Sequence, residues 1–234
     1  VTTASLSPSL PSGEHGPPRR RPATKEQFDD YAQQHDADTL GMWIFLATEI
    51  LFFGGLFATY IVYRWRYALG FDEASNHLRV DLGTINTIVL LGSSFTMALA
   101  VHFAQLGRRV TLGALLLCTA VLGALFLCIK FYEWHLEAEE SLIPWRSFAG
   151  PTTPGAPMFF YLYFGMTALH ALHLTIGVCV VLVVAAMALF GAFGQRRHVT
   201  VEIVGLYWHY VDIVWLFLYP LLYLGGRHLA GAHG

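Results

Sequence analysis

The chain has 234 residues, 55% of them hydrophobic and only 13% charged, with a mean hydropathy of +0.51. A soluble domain carries about a quarter charged residues, so a disordered protein, a disulfide-stapled secreted domain and a conventional soluble enzyme are excluded. The formal net charge of −2 offers no basic footprint for nucleic acid, which leaves an all-α integral membrane protein whose length suits one helical bundle.

Residues 1–39 differ in kind from the rest. They hold five of the ten prolines, the basic run Arg19-Arg20-Arg21 and an acidic end at Asp36-Ala37-Asp38. Such a segment buries too little apolar surface to offset its ordering entropy and reads as a mobile cytoplasmic tail. No apolar segment follows the arginines for about eighteen residues, unlike a signal peptide. Lys25 to Gln34 has the composition of a short surface helix.

Five spans follow, over 40–65, 82–106, 110–134, 158–193 and 198–224, making a membrane domain of 40–226 with a short tail at 227–234. Each exceeds the roughly 20 residues that cross a hydrocarbon core. Helix is the form expected, because backbone groups in lipid must pair within their own segment. Gly107-Arg108-Arg109 and Gly194-Gln195-Arg196-Arg197 suit tight antiparallel turns. Pro144, Pro151, Pro154 and Pro157 make the link from Glu137 to Pro157 an irregular surface loop. Cys118, Cys128 and Cys179 lie in apolar segments. The first two are roughly 15 Å apart on one helix, too far for a disulfide, and all three read as buried free thiols.

Orientation follows from Lys and Arg. An inside N-terminus places Arg19, Arg20, Arg21, Lys25, Arg108, Arg109, Arg196 and Arg197 within, and Arg64, Arg66, Arg79, Arg146 and Arg227 outside. The positive-inside rule then predicts N-in, C-out.

Ionisable residues inside spans carry the information, because hydrocarbon penalises them by a few kcal/mol or more. Glu49 falls roughly 13 Å into the first span, as a proton-relay or gating group or as a carboxyl bonded to a neighbouring helix. Lys130, Glu133 and Glu137 share one face at i, i+3 and i+7, where Lys130 pairs with Glu133 or snorkels outward. His170 and His173, at i and i+3, project from one helical face. That spacing suits a metal, yet no further ligand is clearly placed. His102 and His209 lie on other spans, and a haem would demand one axial His on each of two helices. Hydrogen bonding between helices is the simpler reading.

The densest group is on the last span. Trp208, Asp212 and Trp215 line one stripe, His209 or an indole N–H is within helical reach of Asp212, and Glu202 lies nearer the inner end. This reads as an ion site or as a polar cluster that locks the bundle. No phosphate-binding loop, nucleophile elbow, haem-attachment or zinc-protease motif is present in the sequence. No catalytic residue and no metal site is therefore assigned.

Four segments, in order, resemble subunit III of the haem-copper terminal oxidases: Gly41 to Phe53, Lys130 to Trp134, His170 to Gly177, and Tyr207 to Tyr219. The resemblance covers about residues 39–226. It implies an accessory subunit without redox groups of its own, in a bacterial cytoplasmic membrane, with the haems and copper in partner subunits. It further implies main contact with subunit I, further contact with subunit II and small subunits, tight phospholipid binding, support of proton uptake and protection against turnover-linked inactivation. A place in a respiratory supercomplex is compatible with it. Glu49 matches the family's carbodiimide-reactive carboxyl. Glu133, His170, His173, Glu202, Trp208, His209, Asp212 and Trp215 match its other polar positions, and Arg196, Arg197 and His198 match its lipid-headgroup contacts. Mitochondrial-type members have two further helices at the start, absent here, which puts that family's lipid cleft in question. Rival readings are subunit III of a quinol oxidase, an auxiliary subunit of a nitric-oxide reductase, an independent proton or ion channel using Glu49 and Asp212, and a haem-binding bundle.

Overall fold

The computed structural model describes residues 31–146, 148–190 and 197–225. Within them the chain is helical, with six α-helices: α1 (Tyr31–Arg66), α2 (Ala68–Asn76), α3 (Val80–Gln105), α4 (Arg109–Glu139), α5 (Ala156–Leu189) and α6 (Arg197–Tyr219). A π-helical turn at Pro220–Leu224 continues α6. Five stretches are long and apolar enough to cross a membrane: Thr39–Arg66, Val80–Gln105, Arg109–Glu139, Ala156–Leu189 and Val199–Leu224. The chain is thus a five-span membrane bundle.

The spans start and stop close to where hydropathy places them, with three differences. α1 opens at Tyr31, nine residues before the expected start at Leu40, so Tyr31 to Gln34 of the expected surface helix belong to it. The rest of the tail, and residues 226–234, lie outside the described residues. α2 lies in the link between the first two spans, for which no element is expected from the sequence. It is seated by two glycines: a Cβ on Gly70 would fall 2.3 Å from the carbonyl oxygen of Pro154, and Gly155, at φ +96°, lies against Tyr67. The cysteines also differ from expectation, since Cys118, Cys128 and Cys179 are all exposed. They face outward toward lipid because the bundle interior is already filled by aromatic side chains.

α3 packs most extensively on α4, and α4 on α5, while α6 crosses both α3 and α5. The core is built around large rings seated on small residues. Trp208, fully buried, lies where a Cβ on Gly123 would come within 2.7 Å of its indole and one on Gly177 within 3.4 Å. Close approach over glycine is how apolar helices gain contact in lipid, where no hydrophobic force separates helix from solvent.

α1 is the loose element. Only 11% of its most apolar stretch is buried within the chain, against 56% for the last span. It is held chiefly at its C-terminal end. Pro220 has no N–H to donate, and the backbone past it is secured from α1. Tyr60 donates to the carbonyl of Leu221 at 2.8 Å, and Arg64 donates to Gly225 O and to Asp72 at 3.0 Å.

Candidate functional site

Three groups of polar side chains occupy the membrane domain. The first joins α1 to α5. Glu49 Oε2 lies 3.1 Å from His173 Nε2, and His173 Nδ1 lies 2.8 Å from the carbonyl oxygen of Leu169. A carbonyl only accepts, so Nδ1 carries the hydrogen. The Glu49–His173 contact then holds a single proton: the carboxylic acid donates to Nε2, or imidazolium Nε2–H donates to the carboxylate. Either arrangement is neutral overall, which suits a site in low dielectric. The Phe53 ring stands edge-on to His173 at 5.3 Å, and the Tyr207 hydroxyl donates to the His173 carbonyl at 3.0 Å. The pair is 19% and 16% exposed and faces a cleft of about 430 Å³ between α1, α5 and α6, whose other walls include Met42, Phe45, Val180 and Tyr207. Beyond Phe53 lies a second hollow of about 320 Å³, walled by apolar and aromatic side chains of α1 and α6.

The second group is an ionic cluster buried among α4, α5 and the π-turn. Lys130 is 1% and Glu133 0% exposed. The ammonium donates to Glu133 at 3.1 Å, to Tyr163 at 2.8 Å and to Tyr223 at 2.6 Å, using all three hydrogens. The hydroxyls pass the polarity on, Tyr163 donating to Glu137 at 2.6 Å and Tyr223 to Glu133 at 2.7 Å. Lys130 therefore pairs inward and does not snorkel. One ammonium balances one carboxylate, so the cluster is electroneutral only with a proton held at the second. The sequence reading singles out the acids but neither tyrosine. A lysine inside a span is the signal that obliges such partners to exist, yet nothing in the sequence says from which helix they come.

The third group is the α3–α6 seam. Trp208 Nε1 donates to Ser93 at 3.3 Å and Trp215 Nε1 to Thr87 at 3.0 Å, while His209 Nδ1 lies 2.8 Å from the Ser94 hydroxyl. Nearer the inner end, Gln105 donates to Glu202 at 2.9 Å. Asp212 is buried on this seam beside Thr87 and Leu90. The expected bond from His209 or an indole to Asp212 does not form, because the register sets each of those donors opposite an α3 hydroxyl. Neither Asp212 oxygen has a hydrogen-bond partner within ordinary distance among the described residues.

His170 and His173 part company despite their spacing. His170 is buried with its ring 5.5 Å from Phe126 and 5.1 Å from Trp215, whereas His173 turns to α1. Among the described residues no three His, Cys, Asp or Glu side chains gather as a metal site. His102 stacks edge-on against Phe103, far in sequence from either. The side chains of Arg196, Arg197 and His198 lie outside the described residues.

By class, the described residues form a multi-pass membrane bundle whose ionisable side chains are set between its helices. The family model for cytochrome c oxidase subunit III matches residues 31–227, and the chain belongs to that family, the subunit III family of the haem-copper oxidases. Cytochrome c oxidase subunit 3 of Synechocystis is 33% identical over 195 residues, covering 81% of this chain and 76% of that one. Cytochrome c oxidase subunit 3 of Thermostichus vulcanus is 30% identical over 201 residues, 83% and 91% of the two chains. The cytochrome bo(3) ubiquinol oxidase subunit 3 of Pseudomonas aeruginosa is 28% identical over 198 residues, 84% and 90%.

Proposed function

We propose that this chain is the accessory subunit of an aerobic terminal oxidase in a bacterial cytoplasmic membrane, packed against subunit I and holding phospholipid while the partner subunits reduce oxygen and pump protons. The observation that carries this reading is where the chain places its apolar surface. α1 leaves Trp43, Ile44, Leu51 and Trp65 exposed, while Lys130 and Glu133 turn inward and bond to each other and to buried tyrosines. A protein arranged in this way offers a surface rather than a reaction centre. Similarity to both cytochrome c and quinol oxidase subunits supports a role common to the two classes. The second hollow, between α1 and α6, suits an acyl chain, and the basic run Arg196-Arg197-His198 suits lipid phosphate.

An independent channel draws no support from this geometry. Glu49 lines the cleft beside α1, whereas Asp212 is buried on the α3 seam, at a separate place in the bundle. The test is deletion of this subunit from the complex, with oxygen consumption followed from the first turnovers. The initial rate stays close to that of the intact complex and then decays faster. Loss of all activity at the outset, with normal haem content, would overturn the accessory role.

A further inference from the structure

The cleft beside Glu49 has a hydrogen-bonding character that its proton state does not change. With Nδ1–H of His173 committed to Leu169 O, the proton of the pair lies between Oε2 and Nε2. The other carboxyl oxygen, Oε1, is then a carbonyl or a carboxylate oxygen, an acceptor in both cases. Among the described residues nothing donates to it. The Tyr207 hydroxyl has already given its hydrogen to the His173 carbonyl and keeps only lone pairs. The side chains that line this cleft thus present acceptors and no free N–H or O–H, in walls that are otherwise apolar; the unpartnered hydroxyl nearby, that of Tyr210, belongs to a residue walling the second hollow.

Depth narrows the ligand further. Glu49 stands ten residues past Thr39, where the apolar span begins, and the span runs on to Arg66, so Glu49 lies about 15 Å along the axis from that end and within the hydrocarbon core. A phospholipid ammonium or glycerol hydroxyl sits at the interface and does not reach that level. The molecule that fits is apolar, dissolves in the hydrocarbon and brings its own O–H. A volume of about 430 Å³ accommodates a substituted ring with the first part of a tail.

We propose that this cleft binds a membrane-dissolved hydroquinone, its ring hydroxyl donating to Oε1 of Glu49. The ring lies against Phe45 and Tyr207, whose own centroids are 6.2 Å apart. The site prefers the reduced form, since a quinone carries only acceptors and would set carbonyl oxygen against Glu49 oxygen. The binding goes beyond the accessory role and involves no electron transfer in this chain.

The experiment uses the intact complex, cyanide-inhibited under argon, with a one-isoprene ubiquinol as probe. Retained equivalents are counted in wild type and in Glu49→Leu, which removes the acceptor. Wild type is expected to hold one more equivalent of quinol than the variant. The oxidised quinone and the bis-O-methyl ether of the quinol bind that Glu49-dependent site at least roughly tenfold more weakly, the scale of one lost hydrogen bond to a charged or buried group. Equal stoichiometry in wild type and Glu49→Leu, which is the result if water alone occupies the cleft, overturns the proposal. So does equal binding of quinone and quinol, or displacement of the probe by stoichiometric phosphatidylglycerol. Val180→Trp, which fills the cleft from α5 without touching the pair, gives the same reading should Glu49→Leu fail to assemble. A full complement of quinol in Val180→Trp would then count against the site. The accessory role is read from turnover after deletion of the whole subunit and this site from quinol stoichiometry in the inhibited complex, so failure here and failure of that role are distinguished.

Discussion

Lys130 donates its three ammonium hydrogens to three different side chains, two of them drawn from other elements, and it is enclosed by the rings of Tyr163, Trp215 and Tyr223 at 4.7, 5.5 and 5.3 Å. Such a group contributes little net stability as a pair, because desolvation of the ions offsets most of their attraction. Breaking it is another matter. Lys130→Met leaves two carboxyls and two hydroxyls arranged around an absent cation. The expected loss is about 3–5 kcal/mol, read as a lower unfolding temperature of the purified subunit or complex in detergent. Lys130→Met combined with Glu133→Leu removes the uncompensated partner as well and recovers more than half of that loss. A double variant no more stable than the single one would show that the cluster holds the helices together by its geometry rather than by charge balance. Glu49 and His173 follow the same rule on a smaller scale, a neutral pair sharing one proton where an isolated ion would be expelled.

Glycine contacts at the level of helices separate positions that look alike in the sequence. Gly70 on α2 and Gly54 on α1 are both helical glycines, but a Cβ on Gly70 meets the backbone of Pro154 at 2.3 Å and of Ala156 at 2.9 Å, whereas one on Gly54 meets nothing within 4 Å. Backbone cannot yield as a flexible side chain does. Gly70→Ala therefore pushes α2 off the loop that precedes α5 and costs about 1–3 kcal/mol, while Gly54→Ala is neutral or stabilising by up to about 1 kcal/mol through helix propensity. Thermal unfolding of the two variants side by side checks the contrast, and equal melting would show that the α2–loop contact carries no stability. The same elements mark how far the sequence alone can be read. Apolar runs of more than twenty residues are a one-dimensional signal, so the spans are legible to within a few residues. α2, nine residues long and half polar in Ala68–Asn76, has no such signal. Partners across helices depend on register and rotation, which no single segment records. That is why Asp212 reads as capped by His209 when His209 in fact meets Ser94, and why Tyr163 and Tyr223 escape notice although Lys130 does not. His170 and His173 fail for the same reason, since three residues of helix also separate side chains by about 60° around the axis, enough to aim them at different neighbours.

The whole molecule is asymmetric in two ways that bear on its orientation. Its clamps between α1 and the rest, through Tyr60 and Arg64, lie at the end of α1 that meets the π-turn, and the opposite end opens on the Glu49 cleft. Its short turns are basic on one side, at Arg108 and Arg109, and its long loop is acidic on the other, at Glu139 and Glu140. The positive-inside rule predicts a cytoplasmic α3–α4 turn and an external α4–α5 loop, an orientation that would set the Glu49 cleft toward the inner side of the membrane and the Lys130 cluster toward the outer. The native cysteines provide a silent background for testing this. Cys118, Cys128 and Cys179 are exposed on the flanks of apolar helices, where lipid excludes a water-soluble maleimide. A cysteine added at Leu106→Cys, in the α3–α4 turn, is expected to react with an impermeant maleimide only after the membrane is opened. One added at Glu139→Cys, at the outer end of α4, reacts in intact spheroplasts. The reverse pattern would place the acceptor cleft and the ionic cluster on the opposite leaflets.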